Sequence, residues 1–288
     1  MAIGGRSDGV RLRKISSFRK MFPYMMRTRI ESMIYHSQRL RVGGTLAWLE
    51  RANAGREDKI TFFHVVLAAC VRTLALRPEA NRFVAGRRIY QRKAIELSFV
   101  VKREMTEQAG ETTVKIAFDP RSTIADVAAR VREVVAGTRK RDSSRDEGTA
   151  DIMAKLPRFL CRLGFAAVRT LDFYGLLPAS FIKGDALYTG VFLANLGSIG
   201  LDTVLHHMYE WGNAVFFIVV GRRKKEPVAG ADGRLEIQDV VDMTISLDER
   251  ITDGFYYSNT IRLLSHLIEN PAELEAPPES VPDPYELA

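Results

Sequence analysis

Two short stretches of this 288-residue sequence carry ionisable side chains in arrangements that could transfer a proton. The first spans 246–254, reads SLDERITDG and places Glu249 four residues before Asp253. The second places His206 directly before His207. Histidine is an acid or a base near neutral pH, and a carboxylate does the same work where burial raises its pKa. Both stretches are therefore candidates for acid–base chemistry.

Each of these groups also has a structural interpretation. Neighbouring histidines point in different directions on a strand or a helix, so His206 and His207 do not share a metal ion without distant ligands, and no metal site is expected. Packing or an interface contact is the alternative to a base for this pair. A structural ion pair is the alternative for Glu249. The remaining histidines lie in apolar or helical surroundings and are expected to be structural: His36, His64 and His266.

Composition places the chain among globular proteins. Hydrophobic residues make up 46% and charged residues 27%, so enough apolar surface exists to offset the entropy of ordering the chain. No run of about 20 apolar residues could span a bilayer, and the basic N-terminus lacks the apolar segment of a signal peptide. We therefore expect a cytoplasmic protein. Cys70 and Cys161 lie in separate apolar segments and are expected to be reduced and without chemistry.

The charge of the chain indicates an affinity for anions. The formal net charge is +7, and the excess lies in three basic runs at 6–20, 139–145 and 222–225. Such runs attract polyanions, including nucleic acid, anionic lipid and phosphorylated small molecules. Aromatic residues do not interleave the runs, and no helix-turn-helix or zinc-finger spacing is present, so nucleic acid is not expected as a partner.

The periodicity of apolar residues predicts helices that alternate with strands, and late strand pairs, which is typical of an α/β fold with a mixed sheet. The sequence ADGR at 231–234 predicts a turn between two late strands. Helices are predicted at 18–33, with Pro23 near the first turn, and at 45–53, 61–76, 122–135, 156–174 and 258–268. Strands are predicted at 34–40, 83–90, 96–102, 114–118, 191–196, 214–221, 235–240 and 243–247.

Three segments, in this order, resemble the motifs of one family. The segment at 77–83, RPEANRF, is similar to a joint of the form proline-x-x-asparagine between a helix and a strand. The segment at 190–200, GVFLANLGSIG, resembles a strand that ends in SNLG, and the segment at 246–254 resembles DHRxxDG. The family is that of the catalytic cores of dihydrolipoyl acyltransferases of 2-oxoacid dehydrogenase complexes, and more distantly chloramphenicol acetyltransferase. The resemblance covers about 15–271.

The resemblance implies both a fold and an activity. The fold would be the α/β, chloramphenicol acetyltransferase-like two-layer fold with a mixed sheet, which forms trimers. The protein itself would be its main partner, as a homotrimer or a larger cage. The activity would be acyl transfer at the trimer interface, with coenzyme A or acyl-coenzyme A as the cofactor.

The match is incomplete at the residues that do the family's chemistry. Glu249 stands where the family has the histidine that takes the proton from the attacking thiol, and Ala194 stands where a serine donates a hydrogen bond to the oxyanion. Asp253 and Arg250 match the motif, and the resemblance gives the aspartate an orienting role through an ion pair. It also places Ala194, Asn195 and Arg250 at the cofactor.

Acyl transfer would therefore need substitutes for the missing groups. A carboxylate with a pKa near 4.3 facing a thiol near 8.5 is mismatched by about four units, unless burial raises the pKa of the carboxylate. The candidate bases are Glu249, His206 and His207. Ser198 is the nearest hydroxyl after Ala194 and is the candidate oxyanion donor, although serines in such turns usually bond their own backbone.

The expected organisation is a basic tail at 1–14, one acyltransferase-like domain at 15–274 and a proline-rich tail at 275–288. The region at about 138–176, a charged loop and an amphipathic helix, exceeds what the family requires. Core packing, membrane attachment and a lid over an acyl tunnel are alternative roles for this helix. Since only about 14 residues precede the domain, we expect no covalently attached lipoate, and a separate lipoyl or acyl carrier protein as a possible partner.

Three functional hypotheses follow from the sequence. The first is an acyltransferase that acts between a coenzyme A or lipoyl-type thioester and an unknown acceptor. The second is a catalytically inactive trimeric scaffold, or the core protein of a cage, with the same fold. The third, a protein of the membrane surface, depends only on the basic N-terminus and the amphipathic helix.

Overall fold

A mixed sheet of six strands lies at the centre of the fold, in a computed structural model that describes residues 5–102, 111–140, 156–230 and 232–286. A sheet of three strands accompanies it. The strands of the described chain are β1 (Gly9–Arg11), β2 (Met33–Arg41), β3 (Arg82–Ala85), β4 (Arg88–Arg92), β5 (Ile95–Lys102), β6 (Glu111–Phe118), β7 (Val191–Asn195), β8 (Phe216–Ala229) and β9 (Leu235–Asp248). The helices are α1 (Ser17–Met25), α2 (Gly43–Ala52), α3 (Phe62–Leu76), α4 (Ile124–Lys140), α5 (Arg158–Tyr174), α6 (Ala179–Gly184) and α7 (Gly254–Glu269), with 3₁₀ turns at Pro78–Asn81, Leu196–Ile199 and Pro271–Leu274.

The register of the large sheet sets the geometry of the candidate site. Its strand order is β2-β9-β8-β7-β5-β6. The pairs β5–β7 and β7–β8 are parallel, and the other pairs are antiparallel. Across the central strands, Ala194 pairs with Val219, which pairs with Thr244. These three residues therefore lie at one level of the sheet.

Helices cover one face of the large sheet. α3 is buried from His64 to Ala75 and packs with α7 in the main apolar core. The opposite face carries a smaller apolar cluster of Phe192, Phe217 and Val219. Part of that face lies under residues 200–213, the covering segment, which bonds to side chains of β9. The predicted two-layer α/β architecture with a mixed sheet is confirmed.

The first helix is shorter than predicted. The sequence predicted a helix over 18–33 with Pro23 near its first turn, whereas α1 has 9 residues and holds Pro23 in its last turn. The buried guanidinium of Arg29 donates to the carbonyls of Tyr209 (3.0 Å) and Gly212. This contact over a long sequence distance outweighs the local preference for helix.

The predicted strand at 83–90 is a hairpin formed by β3 and β4. Its turn residues, Gly86 and Arg87, have positive φ angles of 54° and 57°, which both positions of a type I′ turn require. A Cβ atom at position 86 would lie 2.1 Å from the carbonyl oxygen of Phe173, so only glycine fits there. Arg87 occupies the left-handed region at a cost of about 1 to 2 kcal/mol.

The two strands predicted at 235–240 and 243–247 form the single strand β9. Asp242 interrupts the apolar pattern, but its carboxylate pairs with Arg39 on β2 (2.8 Å) and with Lys224 on β8 (2.8 Å). These ion pairs across the strands explain why a charged residue does not end the strand. The predicted turn begins at residue 231, which lies outside the described residues, and its Gly233 has a φ of 80°.

Residues expected to form a basic tail pack against the domain. Arg6 is buried and pairs with Asp8 (2.9 Å) and with Asp172 of α5 (2.7 Å). β1 pairs with β4 in the small sheet. The expectation of a tail over 1–14 is therefore wrong for residues 9–11, which form a strand of the small sheet. Residues 275–286 form neither helix nor strand.

The region predicted as an addition, at about 138–176, contains the end of α4 and the whole of α5. Residues 141–149 of the predicted charged loop lie outside the described residues. The predicted amphipathic helix is α5, and none of its residues is buried. Val168 packs against the buried cluster of Leu177, Ile182 and Tyr188, whereas most of the large apolar side chains of α5 are exposed, so packing within one chain accounts for only part of its apolar face.

His64 provides a pH-dependent test of the helical layer. Its Nδ1 accepts a hydrogen bond from the backbone N–H of Thr61 (3.1 Å), which requires a neutral ring. Burial, with the charge of Arg132, lowers the pKa of His64 to about 4. Unfolded histidine titrates near 6.5, so the unfolded chain takes up the proton first as the pH falls. Stability is therefore complete above about pH 6.5 and is lost towards pH 4.

We expect the free energy of unfolding to fall by up to about 2 kcal/mol between about pH 7.5 and pH 5 through this one residue. Urea denaturation at both pH values measures it. His64→Gln does not titrate and should remove this part of the pH dependence, while His36→Gln serves as the control and should retain it. Identical pH slopes for the native chain and His64→Gln would contradict the assignment.

Candidate functional site

The segment 246–254 contains a buried ion pair that the sequence did not predict. Arg250 donates from Nε to Oδ1 of Asp248 (2.8 Å) and from Nη2 to Oδ2 (2.7 Å), and the side chains are only 4% and 2% exposed. The Ser32 hydroxyl donates to the same carboxylate (3.1 Å). Burial alone would lower the pKa of Arg250, but its bonds to Asp248 and the charge of that carboxylate outweigh burial and raise the pKa.

This pair corrects two expectations for the matched motif residues. Arg250 was expected at the cofactor, but its guanidinium points inward and its remaining Nη1 donates to the carbonyl of Met26 (3.2 Å). Asp253 was expected to be the partner of this arginine, but its side chain is 62% exposed and accepts from the backbone N–H of Tyr256 (2.8 Å). Asp253 is therefore the N-cap of α7, and the nearest cation is Arg19 at 3.6 Å.

Glu249 lies between Asp248 and Arg250 in the sequence, but its side chain takes no part in their ion pair. Its backbone N–H donates to the carbonyl of Ser32 (3.1 Å), which fixes the main chain. Its side chain is half-buried, and within the described residues the carboxylate has no hydrogen bond or ion pair. An uncommitted carboxylate at the end of β9 is available for acid–base work. Burial raises the pKa of the adjacent Tyr257 well above its usual value, and the charges of Asp248 and Glu249 add to the effect.

The second motif ends in a closed turn. Asn195 accepts a hydrogen bond at Oδ1 from the backbone N–H of Ser198 (3.2 Å), and the Ser198 hydroxyl donates to the carbonyl of Asn195 (2.7 Å). The proton of Ser198 is therefore used within its own turn, which was the structural alternative for this residue. Gly197 allows close packing, since a Cβ atom there would lie 2.6 Å from the carbonyl oxygen of Gly221. Ala194 precedes the turn on β7 and packs against the cluster of Phe192, Phe217 and Val219.

His206 lies over the same face of the sheet as Ala194. Its ring stacks on Phe217, with ring centroids 3.8 Å apart and an interplanar angle of 4°. Phe217 is two residues before Val219, the partner of Ala194, so the offset along the sheet is roughly 7 Å. His206 Nδ1 lies 2.7 Å from the carbonyl oxygen of His207. Because a carbonyl only accepts, Nδ1 carries the proton in the neutral ring, and Nε2 is left as a potential base.

His207 and the nearby hydroxyls are less suited to chemistry. His207 is exposed, and its Nδ1 lies 3.2 Å from the carbonyl oxygen of Met208. Thr244 Oγ1 contacts Thr203 Oγ1 (2.6 Å) and donates to the carbonyl of Val204 (2.6 Å). Ser246 donates to the carbonyl of His206. These hydroxyls hold the covering segment on the sheet, and their protons are used in doing so.

The candidate residues form two groups that one chain does not bring together. Ala194 lies at the level of Thr244, and Glu249 follows five residues later. At about 3.3 Å per residue, the two positions are about 16 Å apart along the strands. Glu249 also follows Ser246, the contact of His206, by three residues, or about 10 Å. Within one chain, Glu249 therefore lies away from both Ala194 and His206.

Among the residues that the structure describes, no group of three or more histidine, cysteine, aspartate or glutamate side chains is arranged to hold a metal ion. No described helix is long and apolar enough to cross a membrane.

Comparison with known proteins identifies the fold. Residues 189–276 match the family model of the 2-oxoacid dehydrogenases acyltransferase (catalytic domain), a match that contains the motifs at 190–200 and 246–254. No curated protein matches the sequence. The fold resembles a probable dihydrolipoamide acetyltransferase from Listeria monocytogenes 4b F2365, with 16% identity over 91% of this chain and 95% of that chain, at a TM-score of 0.59.

Two other structures extend the comparison. The chain is similar to the cubic core of the pyruvate dehydrogenase multienzyme complex, with 14% identity over 94% of each chain and a TM-score of 0.59. It is also similar to chloramphenicol acetyltransferase, with 14% identity over 90% of this chain and 98% of that chain, at a TM-score of 0.54. The resemblance predicted from the three motifs is confirmed, and the fold is the chloramphenicol acetyltransferase-like fold. The family whose model matches is one of acyltransferases.

The two aspartates of the third motif should respond differently to substitution. Asp248→Asn leaves Arg250 buried without its charge partner, and we expect a loss of about 3 kcal/mol or more in the free energy of unfolding. Asp253→Asn is the matched control, because asparagine is as good an N-cap as aspartate, and the change should stay within about 0.5 kcal/mol. Urea denaturation of both variants checks this. A larger loss in Asp253→Asn would mean that the ion pair is misassigned.

Proposed function

We propose that the protein transfers an acyl group between a coenzyme A or lipoyl-type thioester and an acceptor, at a site between neighbouring subunits of a homotrimer. The observation that carries this proposal is the family match over 189–276, since it includes both motif strands and the turn that presents Glu249. A separate lipoyl or acyl carrier protein would deliver the acyl group. A larger cage is the second assembly to consider, given the likeness to a cubic core.

Glu249 is the proposed base for the attacking thiol. The Asp248–Arg250 pair and the bond to Ser32 fix its backbone, while its carboxylate has no partner among the described residues. A neighbouring subunit that covers the end of β9 would exclude water from this carboxylate, and desolvation makes a carboxylate a stronger base. Thiol deprotonation needs this strengthening, because an ordinary carboxylate is far less basic than a thiolate.

The face that carries Ala194 and His206 is the proposed surface for the thioester. Ala194 leaves space at the position where the family has a serine, and the apolar cluster beneath it suits an acyl chain. His206 presents Nε2 over this face and is the second candidate base. In the trimer, Glu249 of one copy would approach this face on the next copy, since the two are separated within one chain.

Exposed apolar side chains support association at this face. Four of them lie close together in sequence, in the turn after β7 and in the covering segment, and each is between 49% and 62% exposed: Ile199, Leu201, Val204 and Leu205. Large apolar groups that cluster on the surface of a single chain are typical of an interface. A subunit contact would bury them next to Ala194 and His206.

A catalytically inactive scaffold is the second candidate function. It is favoured by the absence of a free hydroxyl near Ala194 in the described chain, since the protons of Ser198, Thr203, Thr244 and Ser246 are all donated to neighbouring oxygens. An oxyanion would then depend on backbone N–H groups or on the substrate's own donors. The two functions differ in whether any thioester is turned over.

Substitution of Glu249 separates the two functions. We expect Glu249→Gln to reduce transfer from acetyl-coenzyme A to dihydrolipoamide by about 100-fold or more, because removal of a general base costs that much. Glu249→His should retain or raise the rate, since imidazole is better matched to a thiol. Glu50→Gln, at an exposed position of α2, is the control and should leave the rate unchanged.

The rate would be measured by release of free coenzyme A over a panel of short acyl-coenzyme A donors. Full activity in Glu249→Gln, together with loss of activity in His206→Gln, would mean that His206 and not Glu249 is the base. No turnover by the native chain with any donor, together with an intact trimer in light scattering, would favour the scaffold.

Mixed oligomers test whether the site is shared between copies. Glu249→Gln removes the proposed base, and Ala194→Leu fills the proposed thioester surface, so each variant alone should be inactive. Refolded together in equal amounts, about a quarter of the interfaces would join an intact Glu249 to an intact Ala194. We therefore expect about a quarter of the native activity in the mixture.

The control is the same refolding of each variant alone, with the oligomer checked by light scattering. A mixture that stays inactive while its trimer is intact would place the site within one chain. A monomer at micromolar concentration would remove the basis for a shared site.

A further inference from the structure

Five cationic side chains line one groove on the side of the molecule where the small sheet meets α1. The groove has a volume of about 600 Å³. Its cations come from three places in the fold, namely the end of β1 and the residues after it, the surface of α1, and the β3–β4 turn: Arg11, Arg13, Lys20, Arg87 and Arg88. We refer to these five residues and the space between them as the basic groove. The other lining residues are apolar or aromatic: Leu12, Ile15, Pro23, Tyr24 and Ile89.

The cations of the basic groove have no acidic partner in the part of the chain that the structure describes. Among the described residues, none of the five has a carboxylate within salt-bridge distance, and no acidic residue lines the groove. Other arginines on the surface of this chain do have acidic partners: Arg39 pairs with Glu226 (2.7 Å), and Arg223 pairs with Asp239 (2.7 Å). Five cations that face one space without a counter-charge repel one another, and a bound anion would relieve that repulsion.

The backbone holds one of these cations in a costly conformation. Arg87 has a φ of 57°, a region that residues other than glycine rarely occupy. The turn is fixed there because Gly86 packs against the backbone of Phe173. The guanidinium of Arg87 lies 5.4 Å from the ring centroid of Tyr24, across the groove. Strain of this kind, held by the surrounding structure, is common at ligand sites.

We propose that the basic groove binds a small anion that carries two or more phosphate groups. Guanidinium groups match phosphate because they donate two parallel hydrogen bonds to its oxygens. Several such groups around one space suit several phosphates on one ligand. The volume is within the usual range for small-molecule sites. The cations ring a bounded groove and come from separate elements, whereas an extended polyanion is usually met by a stripe of charge.

The proposal does not depend on acyl transfer. The basic groove contains none of the candidate catalytic residues, and anion binding can be measured whether or not the protein turns over a thioester. Failure of the anion-binding proposal would leave the proposed function unchanged, and failure of the proposed function would leave the anion-binding proposal unchanged.

Calorimetric titration with inorganic tripolyphosphate at low salt tests the proposal. We expect binding by the native chain, weaker binding of pyrophosphate and much weaker binding of sulfate, since the interaction grows with the number of phosphates. The double variant Arg11→Gln, Arg87→Gln should bind tripolyphosphate at least about tenfold more weakly, through the loss of two charge-assisted contacts. The double variant Arg51→Gln, Arg56→Gln removes the same charge at exposed positions away from the groove and should bind like the native chain.

Arg13→Gln, Lys20→Gln serves as the second groove variant if the first has a lowered melting temperature. Absence of tripolyphosphate binding by the native chain, or equal affinity in the groove variants, would overturn the proposal. Retention on phosphatidylserine vesicles or on single-stranded DNA that is lost in the groove variants, without binding of tripolyphosphate, would also overturn it and would assign the surface to an extended polyanion.

Discussion

The ion pair between Asp248 and Arg250 fixes the part of the chain on which the candidate site depends. It joins the last residue of β9 to the loop that leads into α7. Through Ser32 and the carbonyl of Met26 it also holds the connection between α1 and β2. A buried arginine without its carboxylate would be far more costly than the pair, so these elements are held together as a unit. Glu249 is presented from this unit.

The register of the sheet imposes the second constraint. Strand pairing sets Ala194 level with Thr244, and the covering segment is bonded to Thr244 and Ser246. His206 is therefore fixed near Ala194, while Glu249 lies well beyond both along β9. Side chains are too short to close such a gap, and a sheet does not slip its register where one face is buried. Within one chain the two groups are therefore held apart.

Sequence periodicity was sufficient for the elements whose stability is local or whose apolar pattern is continuous. α3 was predicted at 61–76 and runs from Phe62 to Leu76, and the strands β5 and β7 were also found close to their predicted bounds. The apolar pattern predicted the wrong bounds where contacts over a long sequence distance determine the secondary structure. Arg29 shortens α1 through carbonyls of the covering segment, and Asp242 continues β9 through cations on two other strands. Neither partner can be read from the local sequence.

In the candidate site, too, the sequence predicted some residues correctly, while others depend on contacts that only the fold creates. The motifs singled out Glu249 and Ala194, but the structure pairs Arg250 with Asp248 and not, as expected, with Asp253. The first aspartate ends a buried strand and the second begins a helix, so the fold decides between them. The Glu249 side chain takes part in neither the Asp248–Arg250 pair nor the Asp253 cap, so a substitution at this position leaves both contacts intact. His206, outside this turn, is the other candidate base, because its Nδ1 donates to the carbonyl of His207 and its Nε2 is left to accept a proton.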